Sequence, residues 1–460
     1  MNHFGIDFKA PNRPFLDPDF MPLLQFNRAF LKTSRRPVVI AIERSGKQIS
    51  VANTFIHGTP EMAEADRYYI DRLVKTLLWQ KGGFRVYVCG DHSMVHYLAD
   101  AYSAKGSRAF DADLMSRVYE HPFEVVDLNL EDAPVEYSFS KAIGRHLDGC
   151  RIGFDAGGSD RKVSAIIDGE PVFSEEVVWL PKEMSDPDYH YNGIVAALKT
   201  AAAHMPRVDG IGVSSAGIYI DNLTRVASLF LKVPPDLFDQ KVKDIYIRAA
   251  REFGDVPLEV CNDGDVTALA GAMSLDDDSV LGIAMGTSEA GGYVDAAGNI
   301  TGWLNELAFV PVDANPLAMV DEWSGDIGCG VKYFSQDGVI KLAPRAGIDL
   351  SEADTPAEKL KIVQKLMAAD DPRAIDVYQS IGNYLGHSLA YYDSLYTIKH
   401  VLLLGRVMSG RGGDLILAEA KRILAENYPE VKLVPSLPDE KFRRVGQSVA
   451  AASLPDVQSK

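Results

Sequence analysis

Arg151-Ile152-Gly153-Phe154-Asp155-Ala156-Gly157 runs through Gly158-Ser159 towards Lys162-Val163-Ser164-Ala165-Ile166-Ile167-Asp168-Gly169. Two apolar runs around a Gly-Gly pair predict a β-hairpin with its tip at Gly157-Gly158. Residues 170–180 add a third strand, and beyond it the pattern alternates. Helical stretches at 192–205, 239–254 and 265–273 are separated by apolar strands at 208–217 and 256–264. That alternation predicts α/β layers built on strands of the parallel type. A second hairpin starts at Ser279 and turns at Gly286-Thr287-Ser288, with Gly291-Gly292 just after. The rest of the chain reads as helical, broken by a strong strand at 400–405.

Upstream, residues 1–36 read as an arm laid over the fold. From Pro37 the chain predicts a hairpin around Arg44-Ser45-Gly46-Lys47 and then a helix over 61–83. In that helix Tyr69, Ile70, Leu73, Leu77 and Leu78 recur at helical spacing before a Gly82-Gly83 stop. Residues 37–150 are thus expected to form an α/β domain of their own.

Composition narrows the class. The 460 residues carry 47 Lys and Arg against 64 Asp and Glu, a net charge of −17. Such a balance opposes a polyanionic partner, so no nucleic acid is expected. The four cysteines, Cys89, Cys150, Cys261 and Cys329, lie far apart without a CxxC pair, which points to a reducing compartment. The N-terminus lacks the basic-then-apolar pattern of a secretion signal, and no apolar run approaches bilayer length. A soluble cytoplasmic protein with no membrane partner is the expectation.

Three places invite chemistry. Adjacent Gly157 and Gly158 let backbone N–H groups approach a phosphate, and Asp155 at a strand end suits a hydrated metal; a plain Gly-Gly turn explains the same residues. Gly286-Thr287-Ser288 repeats that design about one domain later. Between them, Val260-Cys261-Asn262-Asp263-Gly264 places a carboxylate at a strand-to-helix junction. There Asp263 is suited to take the proton of an attacking hydroxyl, with Asn262 fixing a second one. Helix capping is the competing reading, since Asn and Asp are favoured N-caps.

Taken in order, these pieces resemble the ROK group of bacterial sugar kinases, within the actin-like ATPase superfamily. Phe154 to Ser159 resembles the first phosphate motif, DxGGT, with Ser159 for Thr. Ile211-Gly212-Val213-Ser214-Ser215-Ala216-Gly217 is similar to the GIGVSTPG strand and turn. Glu259, Asn262-Asp263 and Ala268-Leu269-Ala270 match a degenerate VENDANxAALAE. Gly286-Thr287-Ser288 stands at the second phosphate motif, and His400 to Gly405-Arg406-Val407 at the adenosine turn. The resemblance spans about residues 151–450.

It implies a two-lobed actin-like ATPase (ribonuclease H-like) fold with an additional N-terminal α/β domain. The expected division is an arm at 1–36, the extra domain at 37–150, a first lobe at 151–275 and a second at 276–460, with nucleotide and substrate in the cleft between lobes. It also implies ATP and Mg²⁺ as cofactors, a sugar or sugar derivative as substrate, and a homo-oligomer, a dimer. Asp263 would be the general base, while Asn262, Glu306 and Gly217 bind substrate. Asp155, Gly157, Gly158, Ser159, Gly286, Thr287 and Gly405 would line the nucleotide, with Asp155 also serving Mg²⁺.

The departures define what is particular to this chain. Where the family has GEIGH, the sequence reads Asn305-Glu306-Leu307-Ala308-Phe309, keeping the Glu and replacing the His by Phe309. The zinc motif CxCGxxGCxE is reduced to Gly328-Cys329-Gly330-Val331, so no structural zinc is expected, and Phe309 and Trp323 are expected to order this loop by packing. Glu289 follows the second phosphate turn, where a carboxylate would repel phosphate unless it faces away or binds the metal. Trp303 and Trp323 flank the altered region as either sugar-stacking or packing aromatics. The alternative to a kinase is a non-catalytic sugar- or nucleotide-sensing regulator on the same fold, or a scaffold that uses residues 1–150 for contacts.

Overall fold

The computed structural model describes residues 1–140 and 142–457. They fall into two compact units. The larger comprises Met1–Phe139, Ile283–Gly291 and Trp303–Leu437; the smaller comprises Ser140–Gly282, Gly292–Gly302 and the chain from Pro438 onward.

The smaller unit is built on a five-stranded sheet in the order Leu258–Asn262, Gly210–Ser215, Cys150–Ala156, Asp160–Ile167, Glu170–Val178. The first three strands are parallel and the last two antiparallel, as the hairpin at Gly157-Gly158 requires. Ile152, Phe154, Ile211, Val213 and Val260 supply the apolar strand faces to a core shared with Ile194, Leu198, Ile245 and Tyr246. Helix Glu440–Ala452 packs against the same sheet at Gly153 and Gly212, where an added Cβ would strike the backbone of Ser448 and Ala451. Small residues there let the helix backbone approach the sheet closely.

In the larger unit, Gln48–Ile56, Arg36–Arg44, Arg85–Cys89 and Glu124–Leu128 form one four-stranded sheet in that order. Helix Ala63–Lys81 ends at Gly82, whose φ of +83° suits only glycine comfortably. Of its predicted apolar face Tyr69, Ile70, Leu77 and Leu78 are buried and Leu73 is half-buried, but Asp71, Arg72, Lys75, Thr76 and Gln80 are buried too. A second sheet takes Glu289–Val294, Val280–Met285, His400–Leu404 and Val434–Ser436, of whose first two strands only residues 289–291 and 283–285 belong to this unit. Helices Pro372–Asp393 and Gly410–Asn427 pack closely because Gly382 and Gly386 admit Ile416 and Ala420 carbonyls, 2.7 and 2.9 Å from where a Cβ would stand.

These units differ from the linear division expected from the sequence. Residues 1–139 share a unit with 303–437 because helix Ala63–Lys81 is enclosed there on nearly every side. The arm is anchored in that unit by buried Phe20, Phe26 and Phe30, and by Asp17 pairing with Lys341 at 2.8 Å. Pro438 onward joins the smaller unit through the helix just described. The expected helix at 239–254 is also broken, into a π-turn over Phe238–Val242 and a helix Ile245–Arg251. The Arg248 guanidinium donates to the Lys241 carbonyl that this break leaves outside the helical ladder.

Candidate functional site

The parallel register brings Asp155 beside Ser214, and Ser215 beside Asn262, all at the C-terminal ends of their strands. That edge is where open α/β sheets bind ligands. Ser214 Oγ donates to Asp155 Oδ1 at 2.9 Å. Gln447 Nε2 donates to Ser214 Oγ at 2.9 Å and to the Asp263 carbonyl at 3.0 Å, so one amide ties three strand ends together. Gly446, with φ +62° and ψ 162°, kinks the helix just where Gln447 turns towards the site.

At Asn262-Asp263 the helix cap falls to one residue and not to the other. Asn262 is the N-cap: its Oδ1 accepts from Gly264 N at 2.7 Å, and its Nδ2 donates to the Gly217 carbonyl at 2.7 Å. Gly217 takes φ +141°, and a Cβ there would lie 2.6 Å from Val226 O. Asn262 and Gly217 are therefore bound to each other. Asp263, the first helical residue, accepts from Gly264 N at 3.0 Å and leaves the capping to its neighbour. Burial pushes its carboxyl up, opposed by the Gly264 amide and the Lys182 charge.

At the hairpin tip, Trp179 Nε1 donates to Gly157 O at 2.7 Å and holds the Gly157-Gly158-Ser159 turn. Lys182, an exposed residue absent from the sequence reading, lies over it with Cε 2.8 Å from where a Gly158 Cβ would be. Asp155 is pushed up to about 6 by burial, relieved by Ser214 and raised further by Asp263. A half-buried carboxylate repelled by neighbouring acids fits a cation. Mg²⁺ characteristically takes one or two carboxylates and leaves its remaining positions to water and phosphate. Among the described residues no three acidic, His or Cys groups converge as a metal cage.

In the larger unit, the second turn keeps Gly286, Thr287 and Gly405 together. Gly405 has φ +94° and admits the Met285 carbonyl, while Arg406 Nη2 donates to Thr287 Oγ1 at 3.1 Å. Glu289 faces away from the exposed Thr287-Ser288 tip: it is 3% exposed, beside Tyr392 (OH to Oε1 3.4 Å) and Gly330. Its Oε2 has no hydrogen-bond partner among the described residues, and burial pushes its carboxyl up to about 8. The folded state thus keeps a proton that the unfolded chain releases, so stability falls as pH rises from about 4.5 towards 8. Glu289→Gln should remove that slope, gaining about 2–4 kcal/mol over the parent at pH 8 in urea titrations but little at pH 4.5. Parallel stability curves for the two proteins would refute the neutral, buried assignment.

Glu306 sits on a loop hung from helix Ala63–Lys81: Asn305 N donates to Gln80 O at 2.9 Å and Glu306 N to Trp79 O at 3.0 Å. Phe309 stacks on Trp79, ring centroids 4.1 Å apart. Phe309 thus packs on a helix that precedes it, while Trp323, expected to bury against Phe309 or against the helix that follows, is 69% exposed. Cys329 lies 3.9 Å from Asp326, its thiol pushed up to about 12 by burial. A phenyl ring and a protonated thiol do not make a zinc donor set. Around Asp326 stand Arg72 (2.9 Å), Arg108 (2.8 Å) and Lys75 (3.4 Å), with Asp71 and Asp111 completing the charges. Lys75 is fully buried, 3.0 Å from Asp111, which also accepts from Trp79 Nε1 at 3.0 Å.

Solved structures share this architecture. The ROK hexokinase from Thermus thermophilus is 19% identical over 66% of this chain and 97% of its own, with a TM-score of 0.51. A ROK family transcriptional regulator, homologous to the MLC protein of E. coli, is 18% identical over 67% and 79%, with a TM-score of 0.50. No family model matches the sequence, and no curated protein matches it. The chain therefore has the ROK-type, actin-like ATPase fold, without the family's zinc cysteine cluster. A hexokinase and a transcriptional regulator both use that fold.

Proposed function

We propose that this protein transfers a phosphoryl group from ATP to a hydroxyl of a sugar or sugar derivative. The observation that carries the reading is Asp263: a half-buried carboxylate at the ligand-binding edge, relieved of capping by Asn262 and braced from behind by Gln447. A structural residue would be using its charge in a cap or an ion pair. In the reaction, an Asp263 carboxylate oxygen accepts the proton of the sugar hydroxyl as the sugar oxygen bonds to the γ-phosphorus and the bond from that phosphorus to ADP breaks. Gly157, Gly158 and Ser159 offer backbone N–H groups to phosphate, and Lys182 adds positive charge over the same turn. Bound through Asp155, Mg²⁺ would neutralise phosphate charge. Asn262 keeps the Gly217 turn in place for substrate. In the larger unit, Thr287 and Arg406 offer a hydroxyl and a guanidinium suited to phosphate oxygens.

The regulator reading draws on the shared fold with the transcriptional regulator. The test is a coupled ADP-release assay with ATP–Mg²⁺ and a panel of neutral, amino and acidic sugars, with thermal shift run in parallel. Sugar-dependent ADP release supports the kinase. Sugar binding without ADP release from any member supports the sensor.

A further inference from the structure

The larger unit balances its buried cations with acids almost without exception. Arg72 and Arg108 meet Asp326, Lys75 meets Asp111, and Lys332 meets Asp337. Arg44 is the exception. It is 3% exposed, and its guanidinium donates only to neutral acceptors, Lys81 O at 3.3 Å and Gln48 Oε1 at 2.9 Å. Its Nε has no partner among the described residues. Beside it is a second cation, Lys81, the last residue of helix Ala63–Lys81, with Nζ 3.8 Å from the Trp303 ring centroid. Among the described residues neither cation forms an ion pair; Tyr119 and then the exposed Glu136 attract Arg44, and Glu136 attracts Lys81, with Glu136 beyond ion-pair distance of both.

Two adjacent, largely desolvated cations are costly to hold without an anion. The cation–π contact with Trp303 returns only about 0.5–2 kcal/mol. Burial accordingly pushes Lys81 down to about 8, with Arg44 adding to the effect. Lys81 and Trp303 are only half-buried, so a ligand has access to them, with Arg44 one layer beneath as a second positive charge. The position is equally specific. The bonds from Asn305 to Gln80 O and from Glu306 to Trp79 O set Trp303 and Lys81 next to the loop that carries Glu306.

We propose that Arg44, Lys81 and Trp303 form a subsite for an oxyanion, a carboxylate or phosphate borne on the sugar, so that the substrate is an acidic sugar. Lys81 meets the anion directly, Arg44 supplies the field that retains it, and the Trp303 ring flanks the sugar. The inference rests on the kinase reading for its substrate role, while the anion subsite stands on its own geometry.

The experiment measures binding, by thermal shift and calorimetry without nucleotide, of glucose, glucuronate and glucose 6-phosphate to the parent, Lys81→Met and Lys81→Arg proteins. ADP release is followed with the same sugars. One or both anionic sugars should bind at least 10-fold tighter than glucose. Lys81→Met should lose that preference, Lys81→Arg should retain most of it, and ATP affinity should be the same in all three. Which anionic sugar binds identifies the carboxylate or the phosphate. Glucose binding as well as its acidic derivatives, or no anionic sugar binding, overturns the subsite; so does a preference that survives Lys81→Met. Lys81-dependent anion binding without ADP release keeps the subsite and overturns the kinase reading. ADP release with glucose and the acidic sugars alike, without any preference for the anionic ones in the parent, does the reverse.

Discussion

Asp263→Asn should leave the protein folded and able to bind nucleotide while lowering turnover about 10²–10⁴-fold, the usual cost of losing a general base. The prediction is sharp because Asn262, whose Oδ1 accepts from Gly264 N at 2.7 Å, keeps the helix capped whatever stands at 263. An amide oxygen at 263 also keeps the bond from Gly264 N, which is 3.0 Å from the present carboxylate. What disappears is the ability to hold a proton, together with a charge that burial disfavours. Stability should therefore hold or rise slightly, while kcat falls and the KM for ATP stays near its parent value. A carboxyl raised by burial is ionised only towards higher pH, so parental turnover should fall on acidification while the residual rate of the variant stays flat. Turnover within threefold of the parent would remove Asp263 from the chemistry and leave the sensor as the better reading.

The sequence makes the smaller unit legible because its strands are apolar, its turns carry glycine, and its register follows from short connections. The Gly157-Gly158 tip, the strand ending at Asn262 and the helix from Asp263 are all local patterns. Two kinds of information are invisible in such patterns. One is return from a distance: Gln447 reaches Ser214 from 233 residues away, and nothing around Gly446-Gln447 announces a partner at a strand end. Lys182 belongs with it, a surface lysine by every local criterion, which the fold lays over Gly158. The other is burial of charge. Helix Ala63–Lys81 shows an apolar stripe, and the expectation that its polar side meets water is the ordinary one. Yet that side carries Asp71, Arg72 and Lys75, and meets Asp326 and Asp111 in the interior. Charges paired across 254 residues, as Arg72 and Asp326 are, leave no periodic trace. For the same reason residues 37–150 read as a separate domain, although the structure encloses their long helix in one unit with 303–437.

That enclosed helix leads to the second large effect: Lys75→Met should destabilise the protein by about 3–5 kcal/mol, the range for removing one partner of a buried ion pair. Lys75 has no exposed surface, and its ammonium lies 3.0 Å from Asp111 and 3.4 Å from Asp326. Burial alone would lower its proton affinity, but Asp111, Cys329 and Asp326 together outweigh that and keep it charged. Methionine fills most of the volume, so the loss reports charge more than packing. Asp326 would still be held by Arg72 and Arg108, whereas Asp111 would keep only the Trp79 indole. The damage should therefore appear first at Trp79 and what hangs from it. Hydrogen exchange at the Asn305 and Glu306 amides, whose acceptors are the Gln80 and Trp79 carbonyls, should accelerate more than exchange in the sheet of the smaller unit. Adding Asp111→Leu to Lys75→Met should restore much of the loss, because an apolar pair costs less in the interior than a carboxylate left alone. A single-variant loss below about 1 kcal/mol would mean that the network is not what holds this loop. A loss of 3 kcal/mol or more, recovered by the second substitution, would show that paired side chains from residues 71–111 order the segment through Cys329 by electrostatics.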